Sequence, residues 1–262
     1  MAKVCPLFSS SSGNSIYIGD SRGGVLIDAG VNAKQLTMQM EYAGITPEMI
    51  HAVFVTHEHT DHIGALRVFC SKHNIDVYST QGTYEAFKEK KIFNGKFTPH
   101  VITGDVEVGN LLVRSFATSH DSRESCGYTV FTNDERKISV LTDTGVVTPQ
   151  ARESVMKSDL IVLESNHDVG MLRNGPYDYM LKKRILSDVG HLSNDACDEF
   201  AVELLKTGTT RFVLAHLSRE NNIPDLAYQS AFAAMCEQGA QIGRDYTLSV
   251  AKPKGDGEVI LL

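Results

Sequence analysis

The sequence lacks any apolar run approaching the roughly 20 residues that a membrane-crossing helix needs, which argues against a membrane-spanning protein. Its opening, MAKVCPLFSSSSGN, lacks a long apolar segment and carries one lysine, so no secretory signal is expected there. The five cysteines (Cys5, Cys70, Cys126, Cys197 and Cys236) are odd in number, scattered, and form no CxxC pair. That excludes a disulfide framework and a cysteine-based zinc knuckle. It leaves small buried apolar side chains in a reducing, cytoplasmic setting. Low-complexity linkers and repeats of about 20–50 residues are missing too, so one domain is expected over residues 1–262. Nor is positive charge in excess, since 25 Lys+Arg stand against 32 Asp+Glu for a net charge of −7. A broad basic face for nucleic acid is thereby excluded.

What is present is the material of a globular core: 42% hydrophobic and 22% charged residues, in a chain long enough to bury roughly three quarters of its unfolded surface. Runs rich in branched residues predict strands over 15–19, 24–28, 52–56, 76–79 and 101–103. Gly109-Asn110 divides 106–108 from 111–118 as a hairpin turn, and further strands are expected at 128–132, 137–142, 160–164, 211–215, 246–251 and 259–262. Helical patterns cover 33–42, 83–91, 149–157, 194–206 and 225–237, with stop signals at Gly44, Asn94-Gly95, Gly208 and Gly239. The first half is strand-heavy and the second mixes both types. Stacked sheets with helices outside, an α/β architecture, are therefore expected.

Residues 52–64 read AVFVTHEHTDHIG, a buried-strand pattern running directly into His57, His59, Asp61 and His62. Imidazole nitrogen and carboxylate oxygen are the ligands that borderline-soft divalent metals prefer. Four such side chains in six positions make a site-building arrangement, where an isolated histidine pair would not. Three later strand-like segments end on His120, Asp143 and His216, at the edge where loops gather in a layered fold. Asp143 is suited to bridge two metals, because a carboxylate has two oxygens and can span ions about 3.5–4 Å apart.

The segments VLIDAG, THEHTDHIGAL, SH at 119–120, LTDTG and AHLS resemble, in order, the five motifs of the metallo-β-lactamase-fold hydrolases. The resemblance implies an αββα four-layer sandwich of two mixed sheets with outer helices and a two-metal site at one edge. By that resemblance His57, His59 and His120 would hold one divalent ion and Asp61, His62 and His216 the other. Asp143 would bridge them, and Asp28 would support the ligands from behind. Zn²⁺, Mn²⁺ and Fe²⁺ all suit such a site.

The fold hosts many reactions, so the choice rests on other residues. The best-known β-lactamases carry Cys where Asp143 stands, and the flavodiiron oxidoreductases carry Glu where His59 stands. A glyoxalase II-like thioesterase shares all seven ligands and stays open, as do a ribonuclease and a cyclic or small-molecule phosphodiesterase. LIVLES, with Glu164, and DVGHLSN, with His191, precede the last ligand in an order that looks like tRNase Z and PhnP-type phosphodiesterases. There the extra histidine donates a proton to the leaving group, so His191 is the expected general acid, held by Glu164. Only 47 residues separate Asp143 from His191, too few for the inserted domain of the β-CASP nucleases. The set SSSSGNS, ESNHD, GPY, GHLSN and AHLSRENN most resembles the YycJ (WalJ) group, with Ser where its opening motif usually has Gly.

That resemblance implies a DNA exonuclease of 5′-to-3′ character. Two metals would acidify a shared water that attacks the phosphate, with Asp61 orienting it and His191 protonating the departing oxygen. Ser10, Ser11, Ser12, Gly13 and Asn14 are expected to hold a terminal phosphate, and Asn222 to contact substrate. A non-enzymatic, metal-stabilised binding protein is disfavoured because the ligand set has no gap. The loaded site would stay electropositive despite the acidic chain. Lys88, Lys90, Lys91 and Lys96, or Lys182, Lys183 and Arg184, could track a few phosphates. His51, His73 and His100 are read as solvent-facing, and His167 is assigned no role.

Overall fold

The described residues of the computed structural model are 1–93 and 96–262, so the turn expected at Asn94-Gly95 lies outside them. In chain order the strands are β1 (Lys3–Ser10), β2 (Gly13–Asp20), β3 (Gly23–Ile27), β4 (Ile50–Phe54), β5 (Asp76–Ser79), β6 (Pro99–Val101) and β7 (Val106–Val108). They continue with β8 (Leu111–Ala117), β9 (Cys126–Thr132), β10 (Lys137–Leu141), β11 (Leu160–Glu164), β12 (Arg211–Ala215), β13 (Thr247–Val250) and β14 (Ile260–Leu261). They form two seven-stranded sheets, ordered β14-β1-β2-β3-β4-β5-β6 and β13-β12-β11-β10-β9-β8-β7. The chain divides into two compact units. One is Met1–Ser115 with Ser122–Arg136 and Lys252–Leu262, and the other is Phe116–Asp121 with Lys137–Ala251.

In the first unit the sheet is antiparallel from β14 through β3 and parallel from β3 through β6. Every residue of β3 is buried, the pattern of a strand covered on both faces. The helix Ala33–Tyr42 starts where the Asn32 side chain accepts from the Gln35 N–H at 3.0 Å. Its Leu36 and Met40 join Phe69 and Cys70 of the helix Leu66–His73 in one core with Leu7, Leu26, Val53 and Val77. Neither β1 nor the helix Leu66–His73 is legible as periodicity. In β1, Pro6 and the serine run blur the pattern, and a register shift between Pro6 and Phe8 absorbs the irregularity. In the helix, Val68, Phe69 and Cys70 have modest helix propensity, and the end is set by Asn74 in the left-handed region.

In the second unit β10, β11, β12 and β13 are all parallel. Leu141 pairs with Leu163 and Glu164 with Ala215, so the carboxyl ends of three neighbouring strands finish almost level. The connecting helices Pro149–Val155, Asn194–Lys206 and Pro224–Glu237 start within one residue of their expected positions. Ala151, Phe200, Ala201, Leu204, Ala231 and Met235 from these helices pack with Leu141, Ile161 and Leu214 of the strands. The short helices Val169–Asn174 and Tyr179–Ile185 were not expected, and each is begun by an aspartate side chain, Asp168 or Asp178, accepting a backbone N–H.

One buried carboxyl in this unit is poorly matched. Asp198 accepts from the Ser230 hydroxyl through one oxygen, while its other oxygen is buried without a partner among the described residues. Burial pushes its pKa up to about 6. A raised carboxyl pKa removes stability as pH climbs from the unfolded value through the folded one. Asp198→Asn should therefore stabilise the protein by about 1–2 kcal/mol at pH 8. Thermal melts of both forms should converge toward pH 4, and a constant difference across that range would contradict the assignment.

Cys5, Cys70, Cys126 and Cys197 are buried and Cys236 is exposed. His51, His73 and His100 are half-buried. His100 stacks on Tyr78 at 4.6 Å between ring centroids and lies 3.2 Å from Asp76 Oδ2.

Candidate active-site residues

The first unit gathers four expected donors where β4 gives way to a one-turn helix, Thr60–Ile63. The strand stops at Phe54, two residues earlier than expected, although Val55 N–H still donates to the Tyr78 carbonyl at 2.9 Å. His57 and His62 are fully buried, and their ring centroids lie 4.1 Å apart, with the His59 centroid 4.5 Å from that of His57. Asp28 holds this loop from behind. One carboxylate oxygen accepts the Thr56 N–H at 2.8 Å; the other contacts the Thr56 hydroxyl at 2.9 Å and His62 Nδ1 at 2.7 Å. Thr56 Oγ1 also lies 3.0 Å from His57 Nδ1, a role that no sequence signal announced. Burial raises the Asp28 pKa, and the His62 ring and the Thr56 hydrogen bonds work against that rise.

The glycine of VLIDAG has a specific reason. A Cβ on Gly30 would sit 1.6 Å from the Asp61 carbonyl oxygen, so only glycine lets the two segments touch. Backbone bonds from Ala29 N–H to His62 O and from Ala65 N–H to Ala29 O, at 2.9 and 2.8 Å, stitch them together.

The second unit brings together Asp143, Glu164, His191 and His216, whose donor atoms lie within 4.8 Å of one another. The parallel register explains this, since Asp143, Glu164 and His216 stand at the level ends of β10, β11 and β12. Glu164 is fully buried, and its Oε1 lies 2.8 Å from Nδ1 of both His191 and His216. Its Oε2 accepts the N–H groups of Thr144 and Leu192 at 3.0 and 3.2 Å. Burial alone would raise this carboxyl; the charge and hydrogen bonds of the two imidazoles outweigh it and hold Glu164 well below the ordinary range. His120 directs Nδ1 to the Gly190 carbonyl at 3.0 Å, and burial lowers its pKa. His167 is also buried, and burial lowers its pKa to about 4.

Seven non-glycine residues among those described adopt positive φ, and Asp28, Asp143 and His216 are three of them. Each costs about 1 kcal/mol or more and persists where surrounding contacts over-determine it.

The donor set fits a divalent metal. His57, His62, His120 and His216 each have Nδ1 within hydrogen-bond distance of a protein oxygen, which fixes the ring and presents Nε2 as the ligating atom. The expected substrate residues divide differently. Ser10 to Asn14 form the turn of the β1–β2 hairpin, with Ser11 and Ser12 exposed. Ser10 and Asn14 are buried, and Asn14 Nδ2 reaches His62 Nε2 at 3.2 Å and Asp61 Oδ2 at 3.4 Å. Asn222 is buried, and its amide is spent on protein groups, not presented for substrate. Several cations expected to track phosphates are likewise engaged. Lys90 donates to the Glu58 carbonyl, Lys182 caps the carbonyls of Arg173 and Gly175, and Arg184 pairs with Asp121. Lys91 and Lys183 stand exposed.

This combination of fold and donors is that of a metal-dependent hydrolase, and the chain belongs to the β-lactamase superfamily: the family's domain model, "Beta-lactamase superfamily domain", matches residues 24–217. Over 256 residues it is 36% identical to the exodeoxyribonuclease WalJ of Streptococcus pneumoniae, covering 96% of this chain and 94% of that one. It is 35% identical over 258 residues to the exodeoxyribonuclease YycJ of Bacillus anthracis, covering 95% and 94%. Among solved structures, the metallo-β-lactamase fold protein YhfI of Bacillus subtilis matches with a TM-score of 0.75 at 15% identity, covering 99% of this chain and 98% of that one. A diphosphatase of the PhnP family matches with a TM-score of 0.70 at 16% identity, covering 99% and 96%. These likenesses define the metallo-β-lactamase fold. No helix among the described residues is long and apolar enough to cross a membrane.

Proposed function

We propose that the chain is a dinuclear-metal phosphodiester hydrolase that degrades DNA as a 5′-to-3′ exonuclease. The observation that carries this reading is the near full-length likeness, at 35–36% identity, to two proteins named exodeoxyribonuclease. The Glu164–His191 pair supports it, because Glu164 Oε1 contacts Nδ1 of both His191 and His216, as a general acid working next to a metal ligand would require.

In this reading His57, His59 and His120 would hold one divalent ion and Asp61, His62 and His216 a second, with Asp143 available to both. Zn²⁺, Mn²⁺ or Fe²⁺ would suit these donors. Bound ions would supply Lewis-acid charge for the scissile phosphate and acidify a water. The chain's own residues do the rest. Asp61, whose side chain is 25% exposed, orients the attacking water. His191 keeps Nδ1 on Glu164 and offers a proton from Nε2 to the departing 3′ oxygen. Ser11 and Ser12, exposed at the hairpin turn, are assigned to the terminal phosphate, and Ser10 and Asn14 to shaping that turn.

Incubation with 5′-phosphorylated, end-labelled DNA and Mn²⁺ or Zn²⁺ should release 5′-mononucleotides progressively from the 5′ end, and EDTA should abolish release. Hydrolysis of S-lactoylglutathione without nuclease activity would establish a thioesterase instead.

A further inference from the structure

Directly behind Glu164 lies a buried cluster of amides that the catalytic reading does not use. Ser165, Asn166, Asn194 and Asn222 are between 0 and 5% exposed. Asn194 and Asn222 face each other as a reciprocal amide pair. Asn222 Nδ2 donates to Asn194 Oδ1 at 2.8 Å, and Asn194 Nδ2 donates to Asn222 Oδ1 at 3.1 Å. The Ser165 hydroxyl donates to the same Asn194 oxygen at 2.8 Å. Asn222 Nδ2 also reaches the carbonyls of Ser165 and Asn166 at 2.9 and 3.1 Å. An amide nitrogen has two hydrogens, so these three acceptors share them in a bifurcated arrangement.

The pair joins three short stretches of chain, since Asn222 itself comes from the loop that follows His216. Asn194 opens the helix that starts three residues after His191, and Ser165 and Asn166 directly follow Glu164. Backbone bonds run the same way, from Asn166 N–H to Leu192 O and from Asn194 N–H to His167 O, both 2.9 Å. His216 is fixed by other means. Its strand is locked to β11 by register, and its carbonyl accepts from Asn166 Nδ2 at 2.8 Å. The amide pair thus bears directly on the His191 turn, while His216 is also held by the register of its strand.

We propose that Asn194 and Asn222, with Ser165, are positioning residues that hold His191 at hydrogen-bond distance from Glu164. The proposal rests on the reading of His191 as general acid given above. Asn222 then serves the reaction through His191 and not through substrate. A buried polar network that is fully satisfied specifies one arrangement of the segments it joins. Removing one amide leaves several partners unsatisfied and frees the His191 turn to shift.

The test uses two substrates that differ in their need for a proton. A DNA phosphodiester has an alkoxide leaving group and depends on the general acid, whereas bis(p-nitrophenyl) phosphate departs without one. Asn222→Ala and Asn194→Ala should each lower kcat on DNA by about 10–100-fold. KM, bound metal and kcat on the aryl ester should stay within about threefold. Ser165→Ala, a milder change for the case where an amide variant does not fold, should show the same split at about 3–10-fold. In a His191→Ala background the same substitutions should cost nothing further on DNA, because the group they position is gone. Equal losses on both substrates, or undiminished DNA cleavage, would overturn the positioning role. A wild-type protein that cleaves neither substrate overturns the hydrolase reading itself, and the positioning role with it.

Discussion

Replacing His191 with alanine should slow DNA hydrolysis by about 10²–10⁴-fold, the range that a positioned general acid contributes. Bound metal should be unchanged, because His191 Nδ1 is engaged by Glu164 and its ring stands 4.9 Å from the His120 ring and 5.3 Å from the His216 ring, centroid to centroid. Elemental analysis of the variant decides the matter. Loss of metal would recast His191 as a ligand, and undiminished turnover would remove it from the reaction.

Glu164→Gln should be nearly as damaging while changing almost no volume. The carboxylate serves four donors, the Nδ1 atoms of His191 and His216 and the N–H groups of Thr144 and Leu192. A glutamine supplies one oxygen and one NH₂, so in either orientation its NH₂ meets two donors. Pointing NH₂ at the histidines would force their other tautomer and take the Nε2 lone pair from His216. Pointing it at the backbone strands two buried N–H groups, at roughly 1–3 kcal/mol each. We expect a fall of about 10²–10³-fold in kcat on DNA with metal affinity weakened about 10–100-fold, as for other partners of ligating histidines. Kinetics and metal titration on the same preparation measure both. Retention of full affinity and turnover would show that neither the charge of Glu164 nor its four accepted hydrogen bonds bear on the reaction.

The donors that the sequence made plain are those that lie close together in it. His57, His59, Asp61 and His62 fall within six positions, so their chemistry shows before any fold is known. His120, Asp143 and His216 could be singled out only as polar residues closing strand-like runs; the parallel register of β10, β11 and β12 is what aligns the last two with Glu164. Glu164 was legible as a neighbour of His191. That one oxygen serves two imidazoles was not, because it depends on strands 52 positions apart in sequence meeting side by side. Asn222 was misread for a related reason: past a ligand-bearing strand, an asparagine reads as a surface loop residue, and only its partners reveal that it is buried. Helices with clean caps, such as Ala33–Tyr42 and Asn194–Lys206, stand at their expected limits, whereas Leu66–His73, with no side-chain cap, and β1, with its Pro6, carry no such signal.

The distribution of thiols gives the molecule a gauge of its own intactness. Burial pushes the Cys5 and Cys126 thiols up to about 11 and 12, and Cys70 and Cys197 are raised as well. Only the thiolate reacts with alkylating reagents, so these four stay silent while the chain is folded, and Cys236 is the exposed one. Cys5, Cys70 and Cys126 belong to the first unit, Cys197 and Cys236 to the second. Which buried thiol takes up the reagent first would therefore record which unit opens first as the protein is stripped of metal or warmed.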